Sequence, residues 1–241
     1  MTEPAGNPLI CAIDDLDLDR ATALAGRLAG AVGGIKLGLA FHTAHGSEGV
    51  RRVAAGAPPL FLDLKFHDIP NTVAHAVRAA IRALAPDMLT VHLAGGPAML
   101  RAAVDEAAAA GERRPLVVGV TVLTSLDDDD LAAVGVAAGV DDQVARLTDL
   151  AVDCGLDGVV CSARELAALR RRCPADFRLI VPGIRPAGAE PGDQKRIMTP
   201  AAAIAAGADR LVVGRPITTA GDPVAAARAI VDSLDTTPVP V

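Results

Sequence analysis

Eight times along its 241 residues the chain passes from a short run rich in Val, Ile and Leu to a longer Ala- and Leu-rich stretch of helical period. The short runs fall at Leu9 to Asp14, Gly34 to Leu37, Leu60 to Lys65, Met88 to His92, Leu116 to Val122, Gly158 to Ser162, Leu179 to Pro182 and Leu211 to Gly214. The helical stretches follow at about 18–30, 41–55, 70–84, 97–110, 141–154, 163–172, 199–206 and 222–234. Strand followed by helix, repeated, is the signature of a parallel sheet with crossover helices. Eight such units in a chain of this length predict an α/β fold of the closed (β/α)₈ TIM-barrel type. Little is left for a second domain, so the expectation is one barrel domain over 1–241, with short tails at about 1–8 and 236–241.

Such a barrel needs a large apolar core, and 51% apolar against 22% charged residues supply one. Aromatic residues are only 2%, with no Trp and no Tyr, so the core is built from Ala, Val, Leu and Ile. Stacking of bases on aromatic platforms is thereby disfavoured. The net charge of −6 argues against broad binding to nucleic acid or to an anionic membrane, and any phosphate ligand must be gripped locally. Cys11, Cys154, Cys161 and Cys173 form no CxxC pair and read as free thiols rather than zinc ligands or a disulfide framework. No apolar run has the length of a membrane span, and Met1 to Pro8 holds no signal core, so the expected compartment is the cytoplasm.

In barrels of this type the active site lies at the C-terminal ends of the strands. Polar residues stand there on seven of the eight: Asp14, Lys36, Asp63 with Lys65, His92, Thr124 with Ser125, Arg185 beyond Gly183, and Gly214-Arg215. In a chain this apolar, that distribution points to a ligand. Asp63 and Lys65 are two apart, so on a strand both face the barrel mouth while Leu62 and Leu64 face the helices. Lys36, between Ile35 and Leu37 on the neighbouring strand, is placed to approach them. Alternating Lys, Asp, Lys can satisfy each buried charge with one of opposite sign, either as a structural ion network or as a reactive array. Asp68, two residues before Pro70, also fits the plainer role of a helix N-cap.

Gly214-Arg215-Pro216 combines a strand-end glycine, a cation and a proline suited to the first position of a helix, an arrangement that can hold a phosphate. Arg185 and Gln194 lie in the long connection after the seventh strand, Arg185 to Met198, which is rich in Gly, Pro and charge and is unusual for a compact barrel unless it serves function. The acidic run Asp127 to Asp130 reads as a solvated helix start. A metal is disfavoured because Lys65 already stands between the two acids as a counterion. His42, His45, His67 and His75 read as ordinary surface or core residues.

Asp63-Leu64-Lys65-Phe66-His67-Asp68-Ile69-Pro70-Asn71-Thr72 resembles the Asp-x-Lys-x-x-Asp-Ile-Pro-x-Thr motif of the orotidine 5′-phosphate decarboxylase family. The likeness extends through Ala12-Ile13-Asp14, Ile35-Lys36-Leu37-Gly38, Val120 to Ser125, Pro182 to Pro186, Gly192-Asp193-Gln194 and Val213 to Pro216. The resemblance implies decarboxylation of orotidine 5′-phosphate to UMP in pyrimidine biosynthesis, without cofactor or metal. It implies Lys65 as proton donor to C6 of the pyrimidine, with Lys36, Asp63 and Asp68 completing the charged array around the leaving carboxylate. Asp14 and Lys36 would hold ribose hydroxyls, Thr124 the pyrimidine region, and Arg185, Gln194, Gly214 and Arg215 the phosphate and its closing loop. It further implies a homodimer in which Asp68 and Thr72 reach into the neighbouring subunit's site. Two alternatives remain open at this point. One is a metal-dependent sugar-phosphate lyase such as the hexulose-phosphate synthases, which share the Asp-x-Lys-x-x-Asp spacing, and the other is a noncatalytic nucleotide-binding barrel.

Overall fold

Eight parallel strands close on themselves in sequence order: β1 (Leu9–Ile13), β2 (Gly34–Gly38), β3 (Leu60–Phe66), β4 (Met88–His92), β5 (Leu116–Val120), β6 (Gly158–Val160), β7 (Arg178–Pro182) and β8 (Arg210–Val213), which returns to β1. This computed structural model describes residues 6–185 and 198–235. The helices are α1 (Leu18–Arg27), α2 (Leu39–Ala54), α3 (Pro70–Leu84), α4 (Gly96–Ala108), α5 (Asp128–Ala133), α6 (Val140–Asp153), α7 (Leu166–Arg172), α8 (Pro200–Ala205), α9 (Arg215–Thr218) and α10 (Pro223–Asp232). The α/β barrel expected from the alternating pattern is the fold found.

Strand alternation sorts the core into two shells. Leu9, Cys11 and Ile13 of β1 join Ile35, Leu37 and Leu62 in the layer that meets the helices. Ile10, Ala12, Phe61, Met88, Val118, Ile180 and Val212 fill the barrel interior instead. The helices are shaped to fit: α3 starts at Pro70, whose missing N–H is no loss at a first position, and buries Val73, Val77, Ala80 and Ile81 on one stripe.

The floor of the barrel is held by a repeating device. Asp87, which precedes β4, donates its N–H to the Leu60 carbonyl and accepts the Leu60 N–H on its carboxylate at 2.8 Å. Asp157 does the same to Val117 and Asp209 to Leu179, each carboxylate accepting at 2.7 Å. At β2 the corresponding residue is Gly33, whose N–H bonds the Leu9 carbonyl, while the Asn7 side chain accepts the Leu9 N–H at 3.0 Å. A Cβ on Gly33 would lie 1.8 Å from the Asn7 carbonyl oxygen, and at this seam the clamping side chain comes from the other strand's leader. Gly33→Ala is therefore expected to lower unfolding free energy by about 3 kcal/mol, since backbone must move to admit the methyl. Urea denaturation measures it.

Several boundaries differ from the sequence reading. β5 and β6 end at Val120 and Val160, and Thr121 then turns its hydroxyl onto the Val160 carbonyl at 2.9 Å. The acidic run does start a helix, α5: Asp127 is the N-cap and forms a reciprocal capping box with Asp130. α5 and the four-residue α9 are absent from the expected helices because neither is long enough to show a period. α2 bends at Gly46, whose φ of 59° an L side chain rarely adopts.

Candidate active site

Asp63 is the centre of the mouth. It lies on β3 with only 9% of its surface exposed, and its two carboxylate oxygens are divided between two ammonium groups. Lys65 Nζ donates to Oδ1 at 2.9 Å, and Lys36 Nζ, from β2, lies 3.2 Å from Oδ2. Burial alone would push the Asp63 carboxyl up, yet the charges and hydrogen bonds of Lys36 and Lys65 outweigh it and hold the group below the usual carboxylate range. Two cations against one anion leave a surplus positive charge facing the cavity.

That cavity measures about 190 Å³ and is bounded by Phe61, Val120, Val160, Pro182 and Val212 from the barrel wall, with Leu123 and Thr124 at its edge. Apolar walls around a charged triad lower the local dielectric and strengthen its field. Among the described residues no three His, Cys, Asp or Glu side chains come together in a way that would bind a metal ion.

β3 does not reach the mouth as a regular strand. Leu62 pairs with Leu89 and Phe66 with Val91, so β3 spends four residues where β4 spends two. Lys65 takes up the slack with φ of 50°, a left-handed conformation that costs a lysine about 1–2 kcal/mol. The residue opposite the bulge is Thr90, fully buried, and its hydroxyl accepts the Lys65 N–H at 2.8 Å while donating to Asp63 Oδ1 at 3.1 Å. The sequence reading passed over Thr90. Its signal was parity: with Met88 and His92 it shares the inward side of β4, where a hydroxyl between Leu89 and Val91 is out of keeping with a purely apolar interior.

His92 lies at the end of β4 and stacks on His67, ring centroids 5.1 Å apart and planes 16° from parallel. Burial, then the charges of His67 and Lys65, hold the His92 imidazole below its ordinary value. Its Nδ1 accepts the Ala94 N–H at 3.2 Å, which puts the proton of the neutral ring on Nε2.

The remaining rim residues surround this centre. Asp14, exposed just past β1, brings Oδ2 to 3.9 Å from the point where a Cβ on Gly214 would sit. Gly214 opens α9 and Arg215 is its first residue. Arg185 is buried at 7% exposure, and burial, then the nearby Arg215 charge, hold its guanidinium below the ordinary value. The two arginines, thirty positions apart in sequence, thus stand near enough for the charge of one to act on the other. The Arg185 N–H also donates to the Met198 carbonyl at 3.1 Å, joining the ends of the long connection. Gln194 lies outside the described residues. Asp68 is exposed and is not the cap of α3, a place held by Ile69; its carboxylate accepts the Ile69 N–H at 2.6 Å. Thr72, in the first turn of α3, is exposed as well.

The family model described as Orotidine 5′-phosphate decarboxylase / HUMPS family matches residues 7–230. The chain belongs to that family. An orotidine 5′-phosphate decarboxylase of Rhodospirillum rubrum is 57% identical over 235 residues, covering 95% of each chain. Another, from Paramagnetospirillum magneticum, is 54% identical over 228 residues, covering 93% of this chain and 97% of its own. The crystal structure of orotidine 5′-phosphate decarboxylase from Lactobacillus acidophilus superposes with a TM-score of 0.83 at 34% identity, over 95% of this chain and all of that one. As a member of this decarboxylase family the chain is an enzyme, and its charged triad occupies the barrel end at which (β/α)₈ enzymes work.

Proposed function

We propose that the protein converts orotidine 5′-phosphate to UMP and CO₂ without a metal or cofactor, and that Lys65 supplies the proton taken up at C6. The observation that carries this reading is the Asp63 carboxylate shared between Lys36 and Lys65 at the floor of an apolar cavity. Cleavage of the bond between C6 and the carboxylate carbon leaves an electron pair in the ring plane, where the π system offers no sink. A fixed cation and a ready proton must meet it instead. The Lys65 ammonium answers the developing charge and transfers its proton to C6; the neutral amine regains one from water. Asp63, near the departing carboxylate, keeps the two ammonium groups aimed, so the field is in place before the bond breaks. Enzymes as a class contribute about 8–23 kcal/mol of transition-state stabilisation, and so unassisted a carbanion belongs to the upper part of that span.

No single side chain provides that much, so the phosphate is given a share. Arg215, with Arg185, Gln194 and the Gly214 backbone, grips it, and that binding energy is spent on ordering the mouth. Asp14 and Lys36 hold the ribose, and Thr124 borders the pyrimidine. Arg215→Ala is expected to lower kcat/KM by about 100-fold or more, the worth of a lost charge-assisted contact. Because Arg215 is exposed, unfolding free energy is expected to stay within about 0.5 kcal/mol. Steady-state kinetics beside urea denaturation checks both.

Asp68 and Thr72 complete the site of a second copy in a homodimer, a role in keeping with their exposure on the rim. We place the enzyme in the cytoplasm, where free thiols such as the buried Cys11, Cys154 and Cys161 stay reduced; no described helix is long and apolar enough to cross a membrane. The deciding experiment follows the ultraviolet absorbance of orotidine 5′-phosphate on adding the purified protein with excess EDTA. Decay of the substrate absorbance to that of UMP is expected. Unchanged absorbance overturns the reading in favour of a binding protein, or of a metal-dependent lyase where the protein instead transfers formaldehyde with added Mg²⁺.

A further inference from the structure

We infer that Thr90 is a positioning residue that sets the reactive geometry of Lys65 and Asp63 through a single hydroxyl. The inference rests on the decarboxylase reading of the same site and extends it to a residue that touches neither substrate nor solvent. Three observations support it. First, Lys65 adopts φ of 50° inside a bulge, a conformation that a lysine holds only where its surroundings impose it. Second, the Thr90 hydroxyl accepts the Lys65 N–H at 2.8 Å, filling the ladder position that the bulge leaves open. Third, the same hydroxyl donates to Asp63 Oδ1 at 3.1 Å, the oxygen that also receives Lys65 Nζ at 2.9 Å.

The Thr90 hydroxyl therefore uses both its donor and an acceptor lone pair, on the main chain of the lysine and on that lysine's counterion. A core role would ask only for volume, and valine has nearly the same shape. The hydroxyl gives orientation: it fixes the backbone from which Lys65 starts and the carboxylate at which Lys65 ends, so Nζ is confined at both ends of its own side chain. Without it, the Lys65 N–H loses its acceptor, the bulge relaxes toward regular extended backbone, and Nζ moves relative to C6. Displacements near 1 Å at a reacting group cost about 100-fold in rate. Asp14, Arg185 and Arg215, assigned to the ribose and the phosphate, stand at the ends of other strands.

The test compares Thr90→Val and Thr90→Ser with the wild type on orotidine 5′-phosphate. Thr90→Val is expected to lower kcat by about 30–100-fold, with KM and UMP affinity within about 3-fold. Thr90→Ser, which keeps the hydroxyl, is expected to retain kcat within about 5-fold. A residue that only fills space would move stability without separating kcat from KM, and serine would then fare no better than valine. A folded Thr90→Val enzyme with kcat within 3-fold of wild type overturns the inference, as does equal loss in the serine variant. If Thr90→Val does not fold, Thr90→Cys, of similar size and far weaker hydrogen bonding, takes its place with the same criteria. A wild-type protein that leaves orotidine 5′-phosphate unchanged refutes the decarboxylase reading itself, a result distinct from an active wild type with an indifferent Thr90.

Discussion

Lys65→Ala is expected to lower kcat on orotidine 5′-phosphate by about 10⁴-fold or more while leaving the protein folded. Two contributions vanish together: the proton donor, worth about 10²–10⁴ in a typical general acid, and the cation nearest the developing charge, worth a further 10²–10³ by analogy with a lost oxyanion-hole donor. Folding survives because Lys36 still faces the Asp63 carboxylate at 3.2 Å, so no buried anion is abandoned. The Lys65 side chain is 38% exposed, so its own ion pair adds little to stability beyond the roughly 1 kcal/mol of a surface bridge. Alanine at φ of 50° is strained as lysine is, so no backbone strain is relieved. Single-turnover absorbance decay with urea denaturation separates the two effects. Retention of even a tenth of the wild-type rate removes Lys65 from the chemistry.

Asp63→Asn is expected to reduce kcat by about 10³-fold and to destabilise the protein by about 3 kcal/mol. The amide keeps the shape but leaves two ammonium groups facing each other across a neutral side chain, in a pocket whose walls are apolar. Their repulsion drives the two ammonium groups apart, which displaces the cation that the reaction needs. The pH dependence has a definite sign. The Asp63 carboxyl lies below its ordinary range in the folded protein, so its contribution is fully present above the unfolded value of about 3.9 and is lost as pH falls through the lower folded value. The stability gap between wild type and Asp63→Asn should therefore be level from about pH 8 down to pH 4 and narrow below it. Urea midpoints across that range provide the check, and a gap that widens on acidification contradicts the assignment of the two lysines as its cause.

Parity along single strands carried most of what could be read without coordinates. It placed Asp63 and Lys36 inward, Ile35, Leu37 and Leu62 outward, and the polar residues at one end of the barrel. The bulge at Lys65 was beyond it, because a register shift against β4, where the Thr90 hydroxyl accepts the Lys65 N–H, leaves no mark in the alternation of residues 63–66. The grouping of Arg185 with Arg215 came from barrel architecture and the family resemblance and not from local pattern; in the fold β7 pairs with β8, and the Arg215 charge acts on Arg185. Asp68 had two local readings, and the structure removes the cap by giving that place to Ile69. The acidic run was legible as a helix start because capping chemistry is local, although the six residues of α5 were too few to show a period.

The clamps made by Asp87, Asp157, Asp209 and the Asn7–Gly33 pair all sit at the end of the cylinder away from Lys65. Alignment of the staves is thus anchored at one end and reactivity displayed at the other. A lineage can rewrite the rim residue by residue, trading one substrate for another, without loosening the joinery beneath. Changes at the anchored end carry the opposite signature, eroding thermal endurance first and turnover only as a result.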